Sequence, residues 1–165
     1  MPARILIADD SQVVRQSLNS LISEHPDWVV CGEAPNGTEA VQLAEQFKPD
    51  LIILDMAMPG LNGLMACAQI LRASPLIPIV IYTLHQSSQV DLEGKKAGAR
   101  QVLSKSDDAH ELIRCIEELL AETLGVTPYS DRPQPTGSAD VAADLKTNAP
   151  RLDQKSHPKT NAKGA

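Results

Sequence analysis

Five times between Ala3 and Leu124, a short aliphatic run is followed by a segment whose apolar residues recur at helical spacing. No other feature constrains the fold as strongly. The runs are Ile5–Ala8, Trp28–Cys31, Asp50–Leu54, Ile77–Tyr82 and Gln101–Ser104. The first and third are apolar throughout or nearly so, as strands buried on both faces are. Between them, Val14, Leu18, Leu21 and Ile22 mark a first helix, ended by His25-Pro26. Asn36 followed by Glu39 is a helix-start signature for a second, carrying Ala40, Leu43, Ala44 and Phe47. Leu64, Cys67, Ala68 and Leu71 mark a third. Leu112, Ile113, Ile116, Leu119 and Leu120 mark the fifth and most amphipathic, with Asp108 and Glu111 at its start. The fourth, Gln86 to Ala97, has a thin apolar stripe and an internal Gly94, which costs helix propensity.

Five β-then-α units joined by right-handed crossovers predict an α/β fold: a doubly wound parallel sheet with helices on both faces. Of the two common open orders, five strands favour 2-1-3-4-5, the flavodoxin-like (βα)5 arrangement, in which ligands bind beyond the carboxyl ends of the strands. Aromatic residues are only 2% of the chain, so the core must be aliphatic. Beyond Leu124 the composition changes. Residues 125–165 carry scattered prolines among Ser, Thr, Asp, Lys and Gly and cannot bury a core, so a disordered tail is expected there. The folded unit is therefore expected to span residues 3–124.

Charge and cysteine usage narrow the function. The chain carries −6, and residues 1–125 carry −8, which argues against direct DNA binding and against an anionic membrane surface. No signal peptide is recognisable and no run reaches the ~20 apolar residues of a membrane span. Cys31, Cys67 and Cys115 have no metal-like spacing and read as small hydrophobes in a reducing cytoplasm. His25, His110 and His157 read as solvated. Neither GxGxxG nor GxxxxGK[ST] occurs, so no nucleotide cofactor is expected.

Taken singly, the polar residues at strand ends are unremarkable. Asp9-Asp10 after the first strand reads as a helix cap, Asp55 as a turn residue, Thr83 and Lys105 as ordinary strand ends. Together they stand at the carboxyl ends of strands one, three, four and five, where the 2-1-3-4-5 order makes them converge. Three carboxylates repel unless neutralised, and Mg²⁺ accepts a few carboxylate oxygens with waters and a phosphate oxygen. One carboxylate can then serve as nucleophile toward a phosphoryl group, and Asp55 is the central one.

This set resembles the response-regulator receiver family of two-component signalling. The motifs are Asp9-Asp10, Asp55-Met56-Ala57-Met58-Pro59 with Gly63, Thr83 and Lys105. The resemblance covers Ala3 to Leu124. It implies that Asp10, Asp55 and the backbone carbonyl of Ala57 ligate Mg²⁺ directly, with Asp9 acting mostly through water. It implies further that a histidine kinase or phosphotransfer protein phosphorylates Asp55, that Thr83 swings toward the phosphoryl group, and that Lys105 pairs with it. Such a protein catalyses only its own phosphoryl transfer and slow autodephosphorylation. Its output is contact with a downstream protein through the face of helix four, strand five and helix five. His85, two residues beyond Thr83, stands where the family modulates water attack on the acyl phosphate.

The sequence departs from the family in three places. Val102 replaces the usual aromatic switch residue, Ser106 replaces a frequent proline, and no helix-turn-helix pattern follows the last helix. Two enzyme or carrier alternatives are disfavoured. A haloacid-dehalogenase-type phosphatase needs a second Asp where Ala57 stands, and a flavin carrier needs aromatics that are scarce here. A pseudo-receiver that is never phosphorylated and acts as an interaction module is the remaining alternative.

Overall fold

A computed structural model describes residues 1–125; the expectation of a disordered tail, and His157, lie outside them. The elements are β1 (Ala3–Ala8), α1 (Gln12–Ser23), β2 (Trp28–Ala34), α2 (Gly37–Phe47) and β3 (Leu51–Leu54). They continue as α3 (Gly63–Ala73), β4 (Ile79–Thr83), α4 (Ser88–Lys96), β5 (Gln101–Ser104) and α5 (Ala109–Leu124). All strands are parallel in one sheet of order β2-β1-β3-β4-β5, the order expected. Among the described residues, no helix is long and apolar enough to cross a membrane.

Successive residues of a strand face opposite sides, and here each side has its own core. Ile5, Ile7, Leu51, Ile53 and Val80 face α1 and α5, meeting Leu18, Ile22, Leu112, Ile116 and Leu120. Leu6, Ala8, Ile52, Leu54 and Ile81 face the other way, onto Ala40, Ala44, Ala66, Cys67 and Ile70 of α2 and α3. Truncating one such buried Leu or Ile to Ala typically costs about 2–5 kcal/mol, so each face is sensitive on its own. On the helix side of the second face the buried residues are mostly small: Ala40, Ala44, Ala66 and Cys67. Cys67 and Cys115 are buried and Cys31 is half-buried, and all three are free thiols. Burial pushes the Cys67 thiol up to about 11, and burial with the neighbouring Glu118 and Glu111 does the same for Cys115, so neither is a nucleophile at neutral pH.

Every helix begins on a side-chain cap: Ser11, Asn36, Asn62, Ser87 and Asp108 each accept from a backbone N–H in the first turn. The Asn36 amide also donates to Glu39 Oε1 at 2.7 Å. Three details differ from expectation. β2 continues past Cys31 to Ala34, because the β1–β2 register slips at that point and pairing then resumes at Gly32. β4 begins at Ile79, with Pro78 just outside it contributing only its carbonyl, which accepts from Ile52 N–H at 3.0 Å. His25 is not a solvated histidine: it is half-buried and stacks on Trp28, ring centroids 4.0 Å apart and planes 16° from parallel.

Candidate phosphoacceptor site

The carboxyl edge of the sheet carries the site. Main-chain bonds prolong the pairing by one residue past β1, β3 and β5 and so hold Asp9, Asp55 and Lys105 at the sheet edge. Asp9 N–H donates to Ala34 O at 3.0 Å, Asp55 N–H to Ala8 O at 2.7 Å, and Lys105 N–H to Thr83 O at 2.8 Å. Asp9, Asp55 and Thr83 are buried; Asp10 is exposed beside them.

Asp9, Asp10 and Asp55 each bring a carboxylate oxygen within 4.8 Å of the others. Lys105 reaches into the same cluster, its Nζ 2.6 Å from Asp9 Oδ2 and 3.0 Å from Asp55 Oδ1, with only 8% of its side chain exposed. Asp9 Oδ1 accepts from the Ser11 N–H at 2.9 Å. The acidic pair is therefore not the cap of α1, which is Ser11; the pair lies just before it and joins Asp55 in the carboxylate cluster. Thr83 Oγ1 accepts from the His85 N–H at 3.4 Å, and the His85 side chain is exposed at the rim. Ala57 is exposed on the loop after β3.

Opposing forces act on the titrating groups. Burial raises the Asp55 pKa; hydrogen bonding and charge from Lys105 pull it down, Asp9 pushes it up, a backbone hydrogen bond of Ala57 lowers it, and the net shift is upward. Burial alone would depress the Lys105 ammonium, but its bonds to Asp9 and Asp55 outweigh that and raise it. With all groups ionised, three carboxylates against one ammonium leave two uncompensated negative charges. The donors are all carboxylate oxygens, the ligand type a hard divalent cation takes, so the residues present fit Mg²⁺.

A close approach that sequence reasoning missed supports Asp55 from below. Gly63 opens α3, and a Cβ there would lie 2.1 Å from Asp55 O. Its N–H donates to Met56 O at 3.0 Å, so the loop that follows Asp55 is laid directly on the helix start. Gly63 was visible as a motif member, but nothing in the sequence indicated what it touches. Also missed were Arg15 and Glu33, which pair behind Asp9 at 3.3 Å.

The family of the response regulator receiver domain matches residues 5–117. The chain belongs to the response-regulator receiver family. Protein PilH of Pseudomonas aeruginosa is 38% identical to this receiver over 121 residues, 72% of the chain and 98% of PilH. The nitrate/nitrite response regulator protein NarL of Escherichia coli is 33% identical over 153 residues, 93% of the chain and 69% of NarL. Among solved structures, a LuxR-family two-component response regulator from Aurantimonas sp. SI85-9A1 superposes with a TM-score of 0.71 at 35% identity. That match covers 74% of this chain and 87% of the other. Receivers bind Mg²⁺ at an acidic pocket, interact with histidine kinases or phosphotransfer proteins, and are generally not enzymes in their own right.

Proposed function

We propose that this receiver is a phosphorylation-operated switch whose phosphoacceptor is Asp55. The observation that carries the reading is the placement of Lys105 between Asp9 and Asp55, with Asp10 alongside, in a pocket at the carboxyl edge of the sheet. An Asp55 Oδ attacks the phosphorus of a phosphohistidine on a kinase or phosphotransfer protein. The new O–P bond forms as the N–P bond to imidazole breaks, and the imidazole leaves with the electron pair. Asp10, Asp55 and the Ala57 carbonyl would hold Mg²⁺, with Asp9 acting through water, and the ion would supply positive charge to offset that of the phosphoryl group. Lys105 exchanges its contact with Asp55 for one with a phosphoryl oxygen, and the Thr83 hydroxyl supplies a hydrogen bond to another. His85 screens the rim and sets how readily water reaches the acyl phosphate.

The receiver unit runs from Ala3 to Leu124, where α5 closes on Gly125 in a left-handed cap. Output passes through the face of α4, β5 and α5 to a downstream protein. A groove of about 300 Å³ lies there, bordered by Gln86, Asp91, Lys95, Val102, Glu111 and Arg114. With Asp107 and Glu118 also on its border, the groove carries four acidic and two basic side chains, which suits a protein partner and not DNA. Free cysteines and a kinase donor support a cytoplasmic location.

Incubation with acetyl phosphate and Mg²⁺, followed by intact-mass measurement, tests the reading. A phosphate-sized gain that needs Mg²⁺ and disappears in Asp55→Asn is the expected result. No gain under these conditions rejects the switch and leaves an interaction module that is never phosphorylated.

A further inference from the structure

We propose that Arg15, in the first turn of α1, is a positioning residue for the metal site, bracing the Asp9-Asp10 turn from behind while Glu33 cancels its charge. The proposal rests on the reading of the acidic pocket as a Mg²⁺ site. Arg15 Nη1 donates to the main-chain oxygen of Asp9 at 2.7 Å. Its Nε donates to Glu33 Oε2 at 3.3 Å, and Asn19 Nδ2, one turn further along α1, donates to Glu33 Oε1 at 2.8 Å. The guanidinium is largely enclosed, with 14% of the side chain exposed.

The consequence is geometric. The Asp9 carbonyl belongs to the peptide that joins Asp9 to Asp10, so fixing it fixes the plane from which the Asp10 carboxylate departs. Asp9 is held at both ends of its main chain: its N–H by Ala34, its C=O by Arg15. Ala34 directly follows Glu33, so β2 braces the turn twice, once through its backbone and once through its side chain. A guanidinium behind a cation site would otherwise be an electrostatic liability. Glu33, shared by Arg15 and Asn19, offsets it.

Geometry and charge then predict opposite signs for one substitution. If Arg15 mattered only as a nearby positive charge, Arg15→Met would tighten Mg²⁺ binding. If it is a brace, the same change weakens binding, because groups that hold a metal's ligands in place are worth about 10–100-fold in affinity. Calorimetric titration of the full chain with MgCl₂ distinguishes the two, and a weakening of about tenfold is expected. Arg15→Lys keeps the charge but loses the planar fork that serves Asp9 and Glu33 together, so it too should weaken binding. This second variant carries the test if Arg15→Met does not fold. The Mg²⁺ concentration for half-maximal acetyl-phosphate labelling should rise in parallel; general damage would lower the labelling ceiling without moving that midpoint. Unchanged or tighter binding in Arg15→Met, or unchanged binding in Arg15→Lys, overturns the brace. Absence of Mg²⁺ binding by the unsubstituted protein overturns the metal reading itself, and the brace with it.

Discussion

Gly94 of α4 lies so close to Val102 of β5 that a Cβ at position 94 would come within 2.5 Å of Val102 Cγ2. In the sequence this glycine looks like a weakness of the helix. In the fold it is what lets the helix sit on the strand. Ala in place of Gly gains roughly 1 kcal/mol of helix propensity, whereas overpacking costs about 1–3 kcal/mol. Gly94→Ala should therefore lower stability in urea denaturation followed by circular dichroism. Adding Val102→Ala should recover part of the loss, and a stabilised Gly94→Ala would show that the contact has slack.

Lys105→Met removes the ammonium and leaves Asp9 and Asp55 without their buried partner. Breaking a buried pair in this way typically costs about 3–5 kcal/mol, so a loss near the lower end is expected in Mg²⁺-free buffer. Millimolar MgCl₂ should restore part of it by replacing the missing charge. The raised Lys105 pKa gives a second signature. Its contribution is complete below the ordinary lysine value of 10.5 and is lost as pH climbs through the raised folded value. The difference in stability between wild type and Lys105→Met should thus shrink on the alkaline side as pH passes through the folded lysine value.

Asp55 has the opposite signature. Its pKa is raised above 3.8, so the folded protein holds this proton more tightly than the unfolded chain. Stability from this group is greatest below pH 3.8 and declines as pH rises through the window up to the folded value. Asp55→Asn should lack that decline. The variant should be the more stable protein at neutral pH without Mg²⁺, and equal stabilities would mean that ionised Asp55 carries no penalty.

Gly63→Ala places a methyl group against main chain that cannot rotate away, 2.1 Å from Asp55 O. A destabilisation of about 3 kcal/mol is expected, toward the upper end for overpacking. Acetyl-phosphate labelling should fall with it, because the displaced atom belongs to Asp55, the proposed phosphoacceptor. Normal labelling in a folded variant would count against the rigid seat.

His85→Ala opens the rim next to Thr83, to whose Oγ1 the His85 N–H donates. The half-life of phosphorylated protein after donor removal, followed by intact mass, should change several-fold. An unchanged decay would reduce His85 to an exposed loop residue.

Strand count, sheet order and the convergence of Asp9, Asp10, Asp55 and Lys105 were legible because they follow from periodicity and from the position of each residue at a strand's end. Element edges were less so. The slip at Cys31 that lengthens β2 is a matter of register between strands, which no single segment encodes. The Arg15–Glu33 pair joins a helix to an edge strand across 18 positions, and neither segment alone indicates the pairing. His25 looked solvated because its ring partner Trp28, though near in sequence, belongs to the next element. Contacts between elements were the hidden part, while the alternation within each element was plain.

Trp28 is the chain's single tryptophan, and it opens β2 at the amino edge of a parallel sheet whose chemistry lies at the other edge. The consequence is optical. Its indole emission should answer to the imidazole stacked upon it and to global unfolding, while remaining blind to events at Asp55. Nature has thereby left this receiver with an internal reference dye: the same cuvette can report that the protein is intact while a separate readout records whether the switch has been thrown.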